Sequence, residues 1–324
     1  MTQERSHEAL RHPLAELIRR RGSVVIDGAM STALEALGAD LNDPLWSAKV
    51  LIEAPQWIET VHRQYFEAGA DVAITASYQA SVPGFARRGI DAQGAASLIK
   101  TSVCLAQAAR DSVLKNAPQR RGDLLVAGSV GPYGAFLADG SEYTGGYSLE
   151  KKTLAAFHEP RIAALAEAGA DLLAVETQPR MDEIRVVLEL AQKYGMSVWV
   201  TMTLSEKGTL PDGTDLTAAA REIGAHPCVD AIGFNCVKQQ WAAPALEKLR
   251  LGTDKPLIVY PNSGEIYDPE TKTWRPAAHD PACAWSNFVP KWLGAGAKLI
   301  GGCCRTLPKD ILEISKLLKN DEAR

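Results

Sequence analysis

The sequence predicts an α/β fold, a single (β/α)8 TIM barrel, and three observations carry that expectation. Eight apolar runs alternate with amphipathic stretches along 324 residues, with no linker or break in composition between them. Most of the runs are near-continuously apolar, the pattern of strands covered on both faces. Three are introduced by nearly one phrase, Glu67-Ala68-Gly69-Ala70-Asp71, Glu167-Ala168-Gly169-Ala170-Asp171 and Gly294-Ala295-Gly296-Ala297-Lys298. Each reads as a helix stopped by glycine and followed at once by a strand. Eight such units in one unbroken chain favour a closed barrel over an open doubly wound sheet.

In chain order, residues 1–21 are polar and charged and read as an N-terminal helical extension ahead of a barrel domain at 22–324. The first strand is placed at 24–27, with a short helix at 31–37. A helix at 55–68 precedes the second strand at 71–78, and a helical stretch at 96–113 precedes the third at 124–130. A Gly- and Tyr-rich loop at 131–147 has the length of a lid. A helix at 149–168 leads to the fourth strand at 171–177, and one at 181–194 to the fifth at 197–204. The sixth, seventh and eighth strands fall at 230–236, 256–261 and 298–303.

Composition excludes several functions. A net charge of −4 leaves no basic field for nucleic acid, and Arg19-Arg20-Arg21 and Arg87-Arg88 are short enough to be solvated faces. No run approaches the roughly 18 apolar residues of a membrane span, and residues 1–21 lack the apolar segment of a secretion signal. A cytoplasmic protein with small-molecule partners is expected. Six cysteines in 324 residues are too sparse for a disulfide scaffold, so clustered ones read as metal ligands or catalytic groups.

In such barrels chemistry sits at the C-terminal ends of the strands. Here those ends carry Asp27-Gly28-Ala29-Met30, Ser77-Tyr78-Gln79, Glu176-Thr177, Asn235-Cys236, Asn262-Ser263-Gly264 and Gly301-Gly302-Cys303-Cys304. Neighbouring side chains on a strand point to opposite faces. Cys303 and Cys304 therefore converge only where the backbone leaves extended geometry, which Gly301 and Gly302 permit. With Cys236 on the same rim, three thiolates and one vacant position describe a catalytic zinc, one Zn2+ per chain. Cys104, in a helical stretch, reads as inert packing. Cys228 lies about 26 Å from Cys236 along the sixth strand at about 3.3 Å per residue, too far to be a ligand. Cys283 opens the helix after the seventh strand and reads as packing near the rim. The six histidines form no metal-spaced pair.

Glu176 ends an apolar strand, where a carboxylate needs a cation or several donors. A ligand ammonium and a salt bridge to a barrel arginine are both open. Asp27 is placed as a helix cap, and the amides of Gly28, Ala29 and Met30 as a grip for a carboxylate. Trp46, Tyr78, Tyr133, Phe136, Tyr143 and Tyr147 fall on the same rim, either as an aromatic wall for an organic cation or as loop packing. A thiolate-rich open zinc favours alkyl transfer to sulfur over hydrolysis, because three thiolates already outweigh the metal charge.

Several motifs carry a resemblance: Asp27-Gly28-Ala29-Met30, Trp46-Ser47-Ala48-Lys49-Val50-Leu51, Ile74-Thr75-Ala76-Ser77-Tyr78-Gln79-Ala80, Gly128-Ser129-Val130-Gly131-Pro132-Tyr133-Gly134-Ala135, Gly140-Ser141-Glu142-Tyr143, Tyr260-Pro261-Asn262-Ser263-Gly264-Glu265 and Gly301-Gly302-Cys303-Cys304-Arg305. Together they resemble the zinc-dependent homocysteine S-methyltransferases, nearest to the bacterial and plant-type members that use S-methylmethionine. The likeness runs from about residue 22 to 318.

It implies that Cys236, Cys303 and Cys304 hold zinc and that the homocysteine thiolate takes the fourth position. Glu176 and the Asp27, Gly28, Ala29 turn would hold the amino-acid end, with Trp46, Ser77, Tyr78 and Asn235 as further substrate contacts. The implied donor is a sulfonium, S-methylmethionine, with S-adenosylmethionine as a weaker one, and the product is methionine. A selenium-bearing acceptor is a close variant. The absence of a cobalamin or folate module argues against the multidomain methionine synthases, and the absence of a C-terminal arm against betaine-using relatives. A lysine-dependent barrel aldolase is disfavoured because none of the eight strand ends offers a lysine. A closed zinc-storage site is disfavoured because no fourth protein ligand is visible.

Overall fold

The computed structural model describes residues 10–41, 47–264, 266–268, 273–275 and 284–322. Eight parallel strands form one sheet: β1 Val24–Val25, β2 Val72–Ile74, β3 Leu125–Val130, β4 Leu172–Gln178, β5 Val198–Met202, β6 Val229–Asn235, β7 Leu257–Tyr260 and β8 Ala297–Ile300. Each pairs with its neighbours in sequence, and β8 pairs with β1. The ring closes between β1 and β2, where Ile26 bridges to Val72 and the Asp71 amide donates to the Val25 carbonyl at 2.8 Å. The predicted barrel is the observed one. A short antiparallel hairpin, Ile266–Asp268 with Thr273–Arg275, is inserted between β7 and β8 outside this sheet.

The shared phrase before the strands does what its glycines suggest. Gly69, Gly169 and Gly296 all have φ between 78° and 109°, a region that costs a residue with a Cβ about 1–2 kcal/mol. Each ends a helix and turns the chain directly into β2, β4 or β8. The helices Pro55–Ala68, Lys151–Glu167 and Met181–Lys193 lie close to their expected bounds.

Strand parity decides which residues line the barrel interior. Val24, Ile26, Leu172, Ala174, Trp199, Ala231, Ile258, Tyr260 and Leu299 pack in one inner cluster, while Val25, Leu173, Val175, Val198, Val200, Leu257 and Ile300 pack outward against the helices. The period of two then carries Glu176, two residues beyond Ala174, toward the interior at the C-terminal end. Asn235 follows from Ala231 by the same count. At the opposite end the helix Pro13–Arg21 buries Leu14 and Leu17 in the inner cluster, so the amino-terminal segment plugs the barrel floor. His12 ahead of it contacts Asp230 at 2.6 Å.

One close approach holds β6 against β7. A Cβ on Gly233 would stand 1.7 Å from the Ile258 carbonyl oxygen, and no side-chain rotation relieves a clash with backbone. Gly233→Ala is expected to cost about 3 kcal/mol or more, or to prevent folding. Thermal unfolding of the variant checks this, and a melting curve matching the parent would contradict it.

Candidate metal and substrate site

Three sulfurs meet where β6 and β8 end. Cys303 Sγ lies 3.0 Å from Cys236 Sγ, and Cys236 Sγ lies 3.3 Å from Cys304 Sγ. All three atoms fall within 4.8 Å of one another, and all three residues are partly exposed. Parity would turn Cys236 outward, since it follows the inward Asn235. Instead it adopts φ 54°, a left-handed conformation that turns the chain out of the strand, and its sulfur joins the other two.

The backbone does leave extended geometry before the adjacent cysteines, because the β8 ladder stops at Ile300. The two glycines contribute differently from expectation, since neither has a positive φ. They serve close packing: a Cβ on Gly301 would lie 2.6 Å from Ile26 Cβ, and one on Gly302 would lie 2.5 Å from Thr306 Oγ1. The cysteine loop is then stitched to β7 by Cys303 N to Pro261 O at 2.8 Å and Ser263 N to Cys304 O at 3.1 Å.

Hydrogen bonds from Cys303 and Cys304 hold the Cys236 thiol well below its usual range, and the same sharing pushes the other two up. Three thiolates at this spacing repel one another unless a cation sits among them, and a soft divalent ion suits an all-sulfur donor set. Among the described residues no further histidine, cysteine or carboxylate joins the group, so these residues offer three donors to a metal.

Two buried carboxyl groups, Glu176 and Asp27, sit at the same end of the barrel, and burial pushes both upward. Ser129 Oγ donates to Glu176 Oε1, and the Tyr260 hydroxyl donates to Oε2 at 3.1 Å. Tyr260 in turn accepts from Trp199 Nε1 at 3.1 Å and shares a 2.7 Å bond with Thr201 Oγ1. Burial nevertheless pushes the Glu176 carboxyl up to about 7, with the Cys236 charge adding to it. The arginine salt bridge is not formed among the described residues, and Arg161 acts on Glu176 only through space.

Asp27 is 2% exposed; its Oδ2 accepts from Ile74 N at 2.9 Å and its Oδ1 has no partner among the described residues. The expected helix cap is absent. The helix Met30–Ala36 begins after Ala29 with no side-chain cap, because the Asp27 carboxylate is engaged by β2. Of the Gly28, Ala29 and Met30 amides, that of Ala29 is already taken by Thr306 Oγ1 at 3.0 Å. Gly28 is needed for packing, since its Cβ would lie 2.8 Å from the Tyr65 ring.

Asn235 and Ser77 sit beneath this surface. Asn235 Oδ1 accepts from Thr177 N at 2.7 Å, its Nδ2 donates to Thr177 Oγ1 at 2.7 Å, and Nδ2 reaches Cys303 Sγ at 3.9 Å. It therefore pins Thr177, whose φ is 57°, to the metal loop. Ser77 is fully buried, bonded to Ser129 O at 2.8 Å and Thr75 Oγ1 at 2.8 Å, which leaves it a structural tie between β2 and β3. Tyr78 is half-buried at the rim. Trp46 and Cys283 lie outside the described residues.

A model of the homocysteine S-methyltransferase family matches residues 24–318. The chain belongs to this family. The homocysteine S-methyltransferase of Escherichia coli strain K12 is 50% identical over 302 residues, 93% of this chain and 96% of that protein. Homocysteine S-methyltransferase 1 of Zea mays is 42% identical over 315 residues, 94% of this chain and 98% of that one. The crystal structure of the homocysteine methyltransferase MmuM from Escherichia coli, in its metallated form, superposes with a TM-score of 0.86 at 46% identity. That match covers 94% of this chain and all of the other.

In this member of the family the loop 131–147 is structured, with helical turns at Tyr133–Leu137 and Ser141–Thr144. A buried network holds it. Arg161 donates to the Gly131 and Tyr78 carbonyls at 2.6 and 2.9 Å and to His158 Nδ1 at 2.9 Å. That fixes the imidazole tautomer, so His158 Nε2 donates to Glu183 Oε1 at 2.7 Å. Glu183 also accepts from Tyr133 N at 2.6 Å and the Tyr147 hydroxyl at 2.5 Å.

Among the five described members of the expected aromatic wall, three are taken up in packing of this loop. Tyr133 packs on Phe136, Tyr147 and Phe157, and Phe136 also packs on Phe157, with centroids 4.9 to 5.7 Å apart. Tyr143 reaches the sulfurs, its hydroxyl 3.4 Å from Cys236 Sγ. The outlying cysteines also separate: Cys228 is buried and its thiol pushed up to about 12 by desolvation, as inert packing should be. Cys104 is exposed on the helix Ala92–Asn116, a correction to its reading as a packed thiol.

Proposed function

We propose that this chain transfers a methyl group from a sulfonium donor to homocysteine, with one zinc ion held by Cys236, Cys303 and Cys304. The donor is S-methylmethionine, with S-adenosylmethionine as a weaker one. The observation that carries this reading is the three-sulfur cluster, which no fourth side chain completes among the described residues, together with the buried carboxyl groups of Glu176 and Asp27, which form no ion pair among those residues. Zinc in this site would supply a vacant position that holds the homocysteine sulfur as a thiolate.

The chain's own residues do the rest. Glu176 and Asp27 Oδ1 hold the ammonium end and place its sulfur at the cluster. Asn235, through Thr177 and Cys303, keeps the strand end and the ligand loop in register. In-line attack on the methyl carbon forms one carbon–sulfur bond and breaks another. A thiolate and a sulfonium become two neutral thioethers, so no general acid is needed. With S-methylmethionine both products are methionine. An N-terminal extension at 1–21 ahead of a barrel domain at 22–324, a cytoplasmic location and small-molecule partners without nucleic acid complete the proposal. No helix among the described residues is long and apolar enough to cross a membrane.

Zinc-replete protein assayed with homocysteine against S-methylmethionine, S-adenosylmethionine and betaine should give methionine fastest from the first, slowly from the second and not from the third. Full activity after removal of zinc, or transfer from betaine alone, would overturn this function.

A further inference from the structure

Glu142 precedes Tyr143, whose hydroxyl lies 3.4 Å from Cys236 Sγ, and both sit in the helical turn Ser141–Thr144. A Cβ on Gly134 would lie 2.5 Å from the Glu142 amide nitrogen, so the turn Tyr133–Leu137 lies directly against it. The Arg161, His158 and Glu183 network pins both ends of this segment. Within that frame Glu142 Oε2 is buried with no hydrogen-bond partner among the described residues. A second buried acceptor, Gln79 Oε1, is equally unpartnered, and its amide nitrogen bonds Ala135 O, one residue from Gly134.

A buried carboxylate oxygen without a donor is costly. Glu142 is adjacent in sequence to Tyr143, whose hydroxyl lies 3.4 Å from Cys236 Sγ, so its backbone stands beside the sulfur cluster; burial pushes its carboxyl up, with the Cys236 charge adding to it. Two buried carboxylate oxygens have no hydrogen-bond partner among the described residues of this end of the barrel, Asp27 Oδ1 after the first strand and Glu142 Oε2 beside Tyr143, and the proposed reaction brings two cationic ligands. Asp27, with Glu176, serves the acceptor's ammonium. We propose that Glu142 is the counter-ion for the positively charged donor and selects a sulfonium over its neutral thioether, with Tyr143 beside it.

This assignment rests on the methyltransferase reading and predicts a kinetic signature. The sulfonium charge disappears as the methyl moves, so Glu142 stabilises bound donor at least as well as the transition state. Glu142→Gln keeps the shape and removes the charge. It is expected to raise the KM for S-methylmethionine about tenfold or more, with kcat unchanged or slightly higher and the homocysteine KM within about twofold.

Calorimetric titration of zinc-loaded protein without homocysteine gives a second readout. Wild type should bind S-methylmethionine more tightly than methionine, Glu142→Gln should lose that preference, and Glu142→Asp should keep part of it. If wild type transfers methyl from S-methylmethionine while Glu142→Gln retains donor KM and binding preference, the counter-ion role is wrong and the function stands. If homocysteine KM rises in place of donor KM, Glu142 serves the acceptor and the role is also wrong. If wild type neither binds nor uses the sulfonium, the functional reading fails and this inference with it.

Discussion

Cys236→Gly is expected to lower methyl transfer at least about 1,000-fold, about 4 kcal/mol of barrier, and to reduce bound zinc from one per chain to a trace. Cys236 is the hub of the cluster, in contact with both Cys303 at 3.0 Å and Cys304 at 3.3 Å, so its loss leaves two ligands on one short loop. Glycine is the informative replacement because Cys236 sits at φ 54°. A residue with a Cβ gives up about 1 kcal/mol there, which glycine does not. The variant should therefore unfold at or above the temperature of the zinc-free parent while being inactive, which separates loss of function from loss of fold. Retention of a tenth of the activity at saturating zinc would sink the three-sulfur site.

The barrel was legible because its signals are local. Helix-stopping Gly69, Gly169 and Gly296 mark where β2, β4 and β8 begin, and apolar parity needs no long-range knowledge. The C-terminal ends were less legible. The second strand was expected over 71–78 but its ladder ends at Ile74, and the eighth was expected to 303 but ends at Ile300. Beyond Ile74 the chain turns, with Ser77 N bonded to Thr75 O at 2.8 Å. Hydrophobicity continues through such segments because they stay buried, while their backbone bonds shift from the ladder to the site.

The cysteines and Glu176 could be found because a thiol pair or a carboxylate at the end of an apolar run is conspicuous. Tyr65 and Thr306 could not. Tyr65 OH bonds the carbonyls of Ala29 and Thr306 at 3.0 and 3.1 Å, and Thr306 Oγ1 donates to Cys303 O at 2.6 Å, which ties the Asp27 turn to the metal loop. Both are ordinary residues in their local pattern, and their roles exist only once positions 241 residues apart meet. Glu183 was hidden in the same way on an amphipathic helix, where acidic residues usually face water.

His62→Leu is expected to stabilise the protein, and by more in acid. His62 lies on the helix Pro55–Ala68, fully buried, and neither ring nitrogen has a partner among the described residues. A buried, unpaired donor and acceptor cost about 1–3 kcal/mol, which leucine removes at neutral pH. Desolvation also lowers the imidazole pKa from 6.5 to about 3. The folded protein therefore resists a proton that the unfolded chain accepts, so stability due to a neutral His62 is complete above pH 6.5 and is lost as pH falls toward 3. Each pH unit below 6.5 should widen the gap between variant and parent by about 1.4 kcal/mol, or about 2 kcal/mol at pH 5. Asp71 and Asp171, whose carboxyls burial pushes up, titrate in the opposite sense. The parent's own curve mixes these effects, but the difference between the two proteins isolates His62. Urea unfolding of both at pH 7.5, 6 and 5 measures it, and a gap that stays constant across the three would show that His62 is not buried neutral.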